Sequence, residues 1–163
     1  VKARYYTNNH FDINSFQSAH IPYTDEGYAA ITTAMLRSIY RPKKSQFKVL
    51  VLDCDNTLWQ GVVGEKGTKG INVSDTFKAF QTLVLSLKQK GVLLTLCSKN
   101  EENDVWDAIE NNHDMMIKRE DIAAAKINWH RKSDNIHSLA EELNLGLDSF
   151  IFIDDDLVQC AEV

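Results

Sequence analysis

The chain has 163 residues and lacks any apolar run approaching the roughly 20 residues that cross a bilayer. A membrane-spanning role is excluded on that ground. Its opening residues, Val1-Lys2-Ala3-Arg4-Tyr5-Tyr6, have no apolar core of the kind that leads proteins into secretion. Basic residues are not in excess: 18 Lys and Arg face 23 Asp and Glu, for a net charge of −5. That balance argues against a general nucleic-acid binder. Cysteine is scarce and odd in number, at three, with no CxxC spacing. A disulfide framework or a zinc site is therefore not expected, and a reducing cytoplasm fits better. No internal repeat or low-complexity segment is present. What remains is ordinary globular composition, 44% hydrophobic and 25% charged, enough for one domain with a core and a helical appendage.

From Phe47 onward apolar strands alternate with helical patterns. The first strand is read at 47–53. A glycine-rich excursion follows, with Gly61, Gly64, Gly67 and Gly70, read as a hairpin-like flap over 59–70. Phe77, Phe80, Leu83 and Leu87 mark a helix that Gly91 stops. Val92–Cys97 reads as a second buried strand. Asn100 is placed as the cap of the next helix, with Val105 and Ile109 on one face. A short strand is expected near Met115–Lys118. Ser133 opens a further helix through Ile136, Leu139, Ala140 and Leu143, ended by Gly146, and Phe150–Ile153 is the last strand. Before Phe47, Tyr28, Ile31, Met35 and Ile39 recur at helical spacing, and a basic turn, Arg41-Pro42-Lys43-Lys44-Ser45, breaks that helix. Residues 1–20 suggest no element. The fold class is α/β: a doubly wound parallel sheet in a core over 47–163, with a small flap and an N-terminal helical lead-in over 1–46. In such sheets ligands bind at the carboxyl ends of the strands.

The chemistry-bearing residues fall at those ends. Asp53 and Asp55 follow the first strand, Ser98 follows the second, Lys132 opens the helix before the last, and Asp154 and Asp155 follow the last. Acids gathered this way need a cation or a proton between them. Plainer readings apply to their neighbours. Asp156 is a solvated or helix-capping acid, His130 and His137 are surface residues, and Trp59, Trp106 and Trp129 are packing residues, with Trp59 close enough to line the site.

The ordered set DxDxT, strand-end serine, lysine and acidic pair resembles the four signature elements of the haloacid dehalogenase superfamily. The resemblance implies a Rossmann-like core and a role for each residue. Asp53 would be the nucleophile toward phosphorus, and Asp55 the general acid and base. Mg²⁺ would be held by Asp53, the backbone carbonyl of Asp55 and Asp154, with Asp155 supporting. Thr57 and Ser98 would donate hydrogen bonds, Ser98 to a phosphoryl oxygen, and Lys132 would hold nucleophile and phosphate together.

The stretches Lys48 to Trp59, Gly61-Val62-Val63-Gly64-Glu65, Leu96-Cys97-Ser98-Lys99-Asn100, Ile127-Asn128-Trp129, Lys132-Ser133 and Leu143 to Asp155 sharpen this. Over about residues 16 to 163 the chain resembles the FkbH-like family, subclass IIIC, of polyketide and hybrid nonribosomal peptide synthesis. The resemblance implies removal of phosphate from a small acyl phosphate such as 1,3-bisphosphoglycerate. A glyceryl or lactyl unit would then pass to the phosphopantetheine arm of an acyl carrier protein. It also implies a domain excised from a larger synthase. Cys54, between the two motif aspartates, is either the acyl-carrying nucleophile or a packed core thiol. The chain departs from the family after the acidic pair, where Asp156-Leu157-Val158-Gln159 replaces Asn-Pro-Val-Glu. Two other functions stay open: a plain Mg²⁺-dependent phosphatase, and a non-catalytic docking module.

Overall fold

Val49–Leu52 form β1, and all four residues are buried. A strand with no exposed side belongs at the centre of a sheet covered on both faces. In the computed structural model, which describes residues 11–20, 22–40 and 47–163, β1 holds that position. It pairs in parallel with β2 (Leu93–Ser98) on one side and β4 (Phe150–Ile153) on the other, and β3 (Ile122–Ile127) lies outside β2. The order β3-β2-β1-β4 sets the carboxyl end of β1 between those of β2 and β4. Leu52 is level with Leu96 and with Ile153.

Strand alternation divides the core into two apolar layers. Leu50 and Leu52 face one layer with Leu94, Leu96, Val84, Val105 and Ile109. Val49 and Val51 face the other with Cys97, Ile136 and Leu139. The first layer is closed by α4 (Asp75–Lys88) and α5 (Glu102–Asn111), the second by α6 (Lys132–Leu143). A short α3 (Val63–Lys66) lies in the flap, and α7 (Leu157–Glu162) follows β4. The flap is closed at its base by paired backbone hydrogen bonds between Gln60 and Asn72, at 2.9 and 3.1 Å, so the hairpin-like reading holds with a helical turn inside it. Gly70 sits there because a Cβ would lie 2.4 Å from the Lys66 carbonyl oxygen. Gly91, at φ +91, ends α4 as expected: the Gly91 and Val92 amides bond back to the carbonyls of Lys88 and Leu87.

The chain divides into two compact units, Val1–Ser45 and Gln46–Val163. In the former, α1 (Ile13–Ala19) begins at Asp12, whose carboxylate accepts from the amides of Asn14 and Ser15 at 3.0 Å each. The sequence reading missed this helix, although Asp12 is a strong capping residue. The expected second helix is α2 (Asp25–Tyr40). The basic turn at 41–45 lies outside the described residues. Among the described residues, no helix is long and apolar enough to cross a membrane.

Three local expectations differ from the structure. Met115–Lys118 is not a strand; Met115 and Ile117 are buried in a loop, and the strand is β3. Its sequence, Ile-Ala-Ala-Ala-Lys-Ile, has few of the β-branched residues that mark strands. Leu83 is 57% exposed, and its place in the buried face of α4 is taken by Gln81 and Val84. At the end of α6 the left-handed residue is Asn144, φ 52, rather than Gly146.

Candidate active site

The end of β1 turns sharply because Asn56 adopts a left-handed conformation, φ 54, which asparagine tolerates. The Cys54 carbonyl accepts from the amides of Thr57 (3.2 Å) and Leu58 (2.8 Å), and the Asn56 side chain accepts from the Gly61 amide at 2.8 Å. This turn leaves Asp53 at the strand tip, tied to β4 through its amide and the Ile153 carbonyl at 3.0 Å.

Around Asp53 the structure gathers the residues read from the sequence. Asp53 Oδ1 accepts from Ser98 Oγ at 2.9 Å and from Lys132 Nζ at 2.6 Å. Lys132 Nζ also donates to Asp154 Oδ2 at 2.5 Å. The three side chains of this ion pair cluster are only 7%, 5% and 1% exposed, for Asp53, Lys132 and Asp154. Asp53, Asp154 and Asp155 each offer a carboxylate oxygen within 4.8 Å of the others, a set of hard oxygen donors suited to Mg²⁺. They line a cleft of about 180 Å³ at the carboxyl edge of the sheet, together with Asp55, Ser98 and Lys132.

Burial pushes the Asp53 carboxyl up, and the adjacent Lys132 offsets this only in part, so its pKa is raised. Asp155 is raised as well, by burial and then by Asp154. For Lys132 burial works against the charge, but Asp53 and Asp154 outweigh it and its pKa rises. In physical terms the cluster holds more negative charge than one lysine balances, so Asp53 and Asp155 give up their protons at a higher pH than usual.

Asp55 is separate from these carboxylates. Its Oδ1 accepts from the Trp59 indole at 2.9 Å and the Val63 amide at 3.0 Å, and its Oδ2 accepts from Asn100 Nδ2 at 3.0 Å. Asp55 therefore brings no carboxylate to the acidic cluster. Asn100 is not the cap of α5, whose capping position is held by Glu101 without a side-chain hydrogen bond; it donates to Asp55 and to Ser98 Oγ (3.1 Å) instead. Sequence reasoning missed this role. The signal was its position two residues after Ser98, on the same side of an extended chain. Trp59 is fully buried and acts both in packing and on Asp55.

Two candidates fall outside the cleft. Cys54 is fully buried with Leu50, Leu52 and Leu58, because it lies an even number of residues from the two leucines of β1. Burial, then Asp53, pushes its thiol well above the ordinary range. Of the two readings that the sequence left open for Cys54, this position favours the packed thiol over the acyl-carrying nucleophile. Thr57 is buried beside the turn, and its Oγ1 has no partner. It does not line the cleft. Cys97 is also a core thiol, raised to about 12 by burial. Asp156 caps α7 through the Val158 amide at 2.8 Å, as expected of a capping acid. His130 and His137 are exposed.

No protein-family model and no curated protein matches the chain. Among solved structures it is similar to the N-terminal part of the protein BF1531 from Bacteroides fragilis, which contains a phosphatase domain and is complexed with Mg. The two are 33% identical with a TM-score of 0.80, over 99% of this chain and 45% of that one. The core has the Rossmann-like fold of haloacid dehalogenase phosphatases. The chain thus spans less than half the length of the Bacteroides structure. A second similar structure is 3-deoxy-D-manno-octulosonate 8-phosphate phosphatase from Moraxella catarrhalis, in complex with magnesium, phosphate and KDO. It is 20% identical, with a TM-score of 0.49, over 78% of this chain and 68% of that one.

Proposed function

We propose that this chain is a Mg²⁺-dependent enzyme of the haloacid dehalogenase type that transfers a phosphoryl group from a small phosphate substrate through Asp53. The observation that carries this is the Asp53–Lys132–Asp154 cluster, joined by Ser98 and Asp155 around one cleft. The Mg complex of the Bacteroides phosphatase domain supports the choice of metal.

The carboxylates of Asp53, Asp154 and Asp155 would hold Mg²⁺, which would supply charge neutralisation for the incoming phosphate. The chain's own groups do the rest. An Asp53 carboxylate oxygen attacks phosphorus; the P–O bond to the leaving group breaks, and an aspartyl-phosphate forms. Lys132 and Ser98 hold Asp53 oriented and donate to phosphoryl oxygens. Asp55, gripped by Trp59, Val63 and Asn100, gives a proton to the leaving oxygen. It then takes one from the water that cleaves the aspartyl-phosphate.

The substrate we favour is an acyl phosphate such as 1,3-bisphosphoglycerate, with the three-carbon unit passed to an acyl carrier protein. The FkbH-like motifs support this branch. For this substrate the step at the acyl carbon takes the place of Asp53 attack on phosphorus. The carrier's phosphopantetheine thiolate attacks the carbonyl, the C–O bond to phosphate breaks, and phosphate leaves from the cluster that binds it. The buried position of Cys54 favours this direct route over an acyl-Cys54 stage. The three free cysteines suit a reducing cytoplasm.

The test is incubation with Mg²⁺, 1,3-bisphosphoglycerate and a carrier protein, followed by phosphate release and intact mass. Release together with a glyceryl-loaded carrier supports acyl transfer at this site. Release without loading leaves the phosphatase. Turnover unchanged in Asp53→Asn would overturn the phosphoryl mechanism.

A further inference from the structure

Trp129, expected among the packing residues, is 66% exposed, the most exposed aromatic side chain among the described residues. A single exposed aromatic is ordinary at a protein surface, and what distinguishes this one is where its hydrogen bonds hold it. Its surroundings hold it still. The Asn128 amide donates to the Ser98 carbonyl at 3.1 Å. The Asn128 and Asn135 side chains exchange hydrogen bonds at 2.9 and 3.3 Å, and the His130 amide donates to Asn128 Oδ1 at 3.0 Å. The indole N–H itself donates to Glu101 Oε1 at 2.9 Å. Each anchor adjoins a residue of the cleft: Ser98 directly, Glu101 beside Asn100, and Trp129 three residues before Lys132. The ring does not line the cleft itself, but its N–H is bonded to the residue that follows Asn100 of the lining, beside a cleft whose roughly 180 Å³ suffices for a phosphoryl group and a few further atoms. Lys99 lines the same side of the cleft and makes no salt bridge among the described residues.

We propose that Trp129 is a specificity-determining residue whose indole face receives the organic part of the substrate beyond its phosphoryl group. The inference rests on the phosphoryl-transfer reading and adds a substrate preference: phosphates bearing a flat or extended carbon group over minimal ones. Glu101 positions the ring, and Lys99 meets charge on that group.

The experiment compares acetyl phosphate, which fits the cleft, with p-nitrophenyl phosphate, which reaches the lip. In Trp129→Ala, KM for p-nitrophenyl phosphate rises about tenfold with kcat little changed, as loss of one aromatic contact predicts, and KM for acetyl phosphate stays put. Trp129→Phe retains most of the preference, and Glu101→Gln falls between. Binding of phenylphosphonate, read by tryptophan fluorescence in the wild type and lost in Trp129→Phe, gives a second readout that needs no turnover. Equal changes for both substrates, a change in kcat alone, or no change overturns the inference and leaves the phosphoryl mechanism intact. A phenylphosphonate signal from Trp129 without hydrolysis of either phosphate sinks the mechanism and keeps the platform. Absence of both hydrolysis and signal removes the two together.

Discussion

Replacing Lys132 by Met removes one charge at nearly constant volume and leaves Asp53 and Asp154 facing each other without their cation. The structure fixes the size of the effect. Lys132 Nζ lies 2.6 Å from Asp53 and 2.5 Å from Asp154, and all three side chains are almost fully buried. Breaking a buried pair by deleting one partner costs about 3–5 kcal/mol. The acids have one escape, which is to bind a proton and share it. For a carboxyl that ordinarily titrates near 3.8, staying protonated at pH 7 costs at most about 4 kcal/mol, at 1.36 kcal/mol per pH unit. At pH 5 the same ceiling is about 1.6 kcal/mol. The wild-type lysine, with its pKa raised in the folded state, contributes fully at all pH values below its unfolded pKa of about 10.5. Urea unfolding in chelator, followed by near-ultraviolet circular dichroism, should therefore show Lys132→Met destabilised by about 3–4 kcal/mol at pH 7 and by clearly less at pH 5. Mg²⁺ should restore part of this stability while turnover stays at least about 100-fold down, because the phosphate still lacks its donor. A loss under about 1 kcal/mol at pH 7, or one that does not depend on pH, refutes the account of the cluster.

Other perturbations probe its surroundings. Asn100→Ala frees Asp55 and Ser98 and should lower kcat about 10- to 100-fold with little change in KM, as for other residues that orient a site from behind; unchanged kcat removes Asn100 from the mechanism. Cys54→Ala should leave phosphate release within about twofold and cost about 1–2 kcal/mol of stability through the cavity; lost activity at full stability would revive the thiol. Asp53 and Asp155 have raised folded pKa values, so the stability they contribute is complete below about pH 3.8 and fades as pH rises through those values. Mg²⁺ needs them ionised, so its thermal stabilisation should be larger at pH 7 than at pH 5, and an equal shift at both would count against the site. Gln81→Leu strands the Leu58 carbonyl and the Met116 and Ile117 amides, which Gln81 now bonds at 2.8, 2.8 and 3.2 Å. About 3 kcal/mol of unfolding free energy should be lost, measured in urea.

The contrast between Gln81 and Asp53 shows what a sequence discloses. Asp53, Ser98, Lys132 and Asp154 were legible because each follows an apolar strand or opens a helix, and parallel topology then brings the strand ends together without further information. Gln81 and Asn100 were not, because an amide in a helix or after a serine has many solvent-facing uses, and only the packed structure reveals which backbone groups it must satisfy. Gln81 occupies a core position that the apolar periodicity had assigned to Leu83, so a polar residue took a buried slot because the loop at Met115–Ile117 needed a partner. Cys54 errs in the opposite direction. Its place between two acids made it look reactive, while the period of a strand turned it into the apolar layer. Trp129 inverts the usual rule for tryptophan: a loop pinned by Asn128 and Glu101 keeps it at the surface beside the cleft. Sequence order thus located the acidic cluster and its lysine. The residues that orient Asp55 and flank the entrance came from tertiary contacts made by loops, whose hydrophobic pattern carries no period to read.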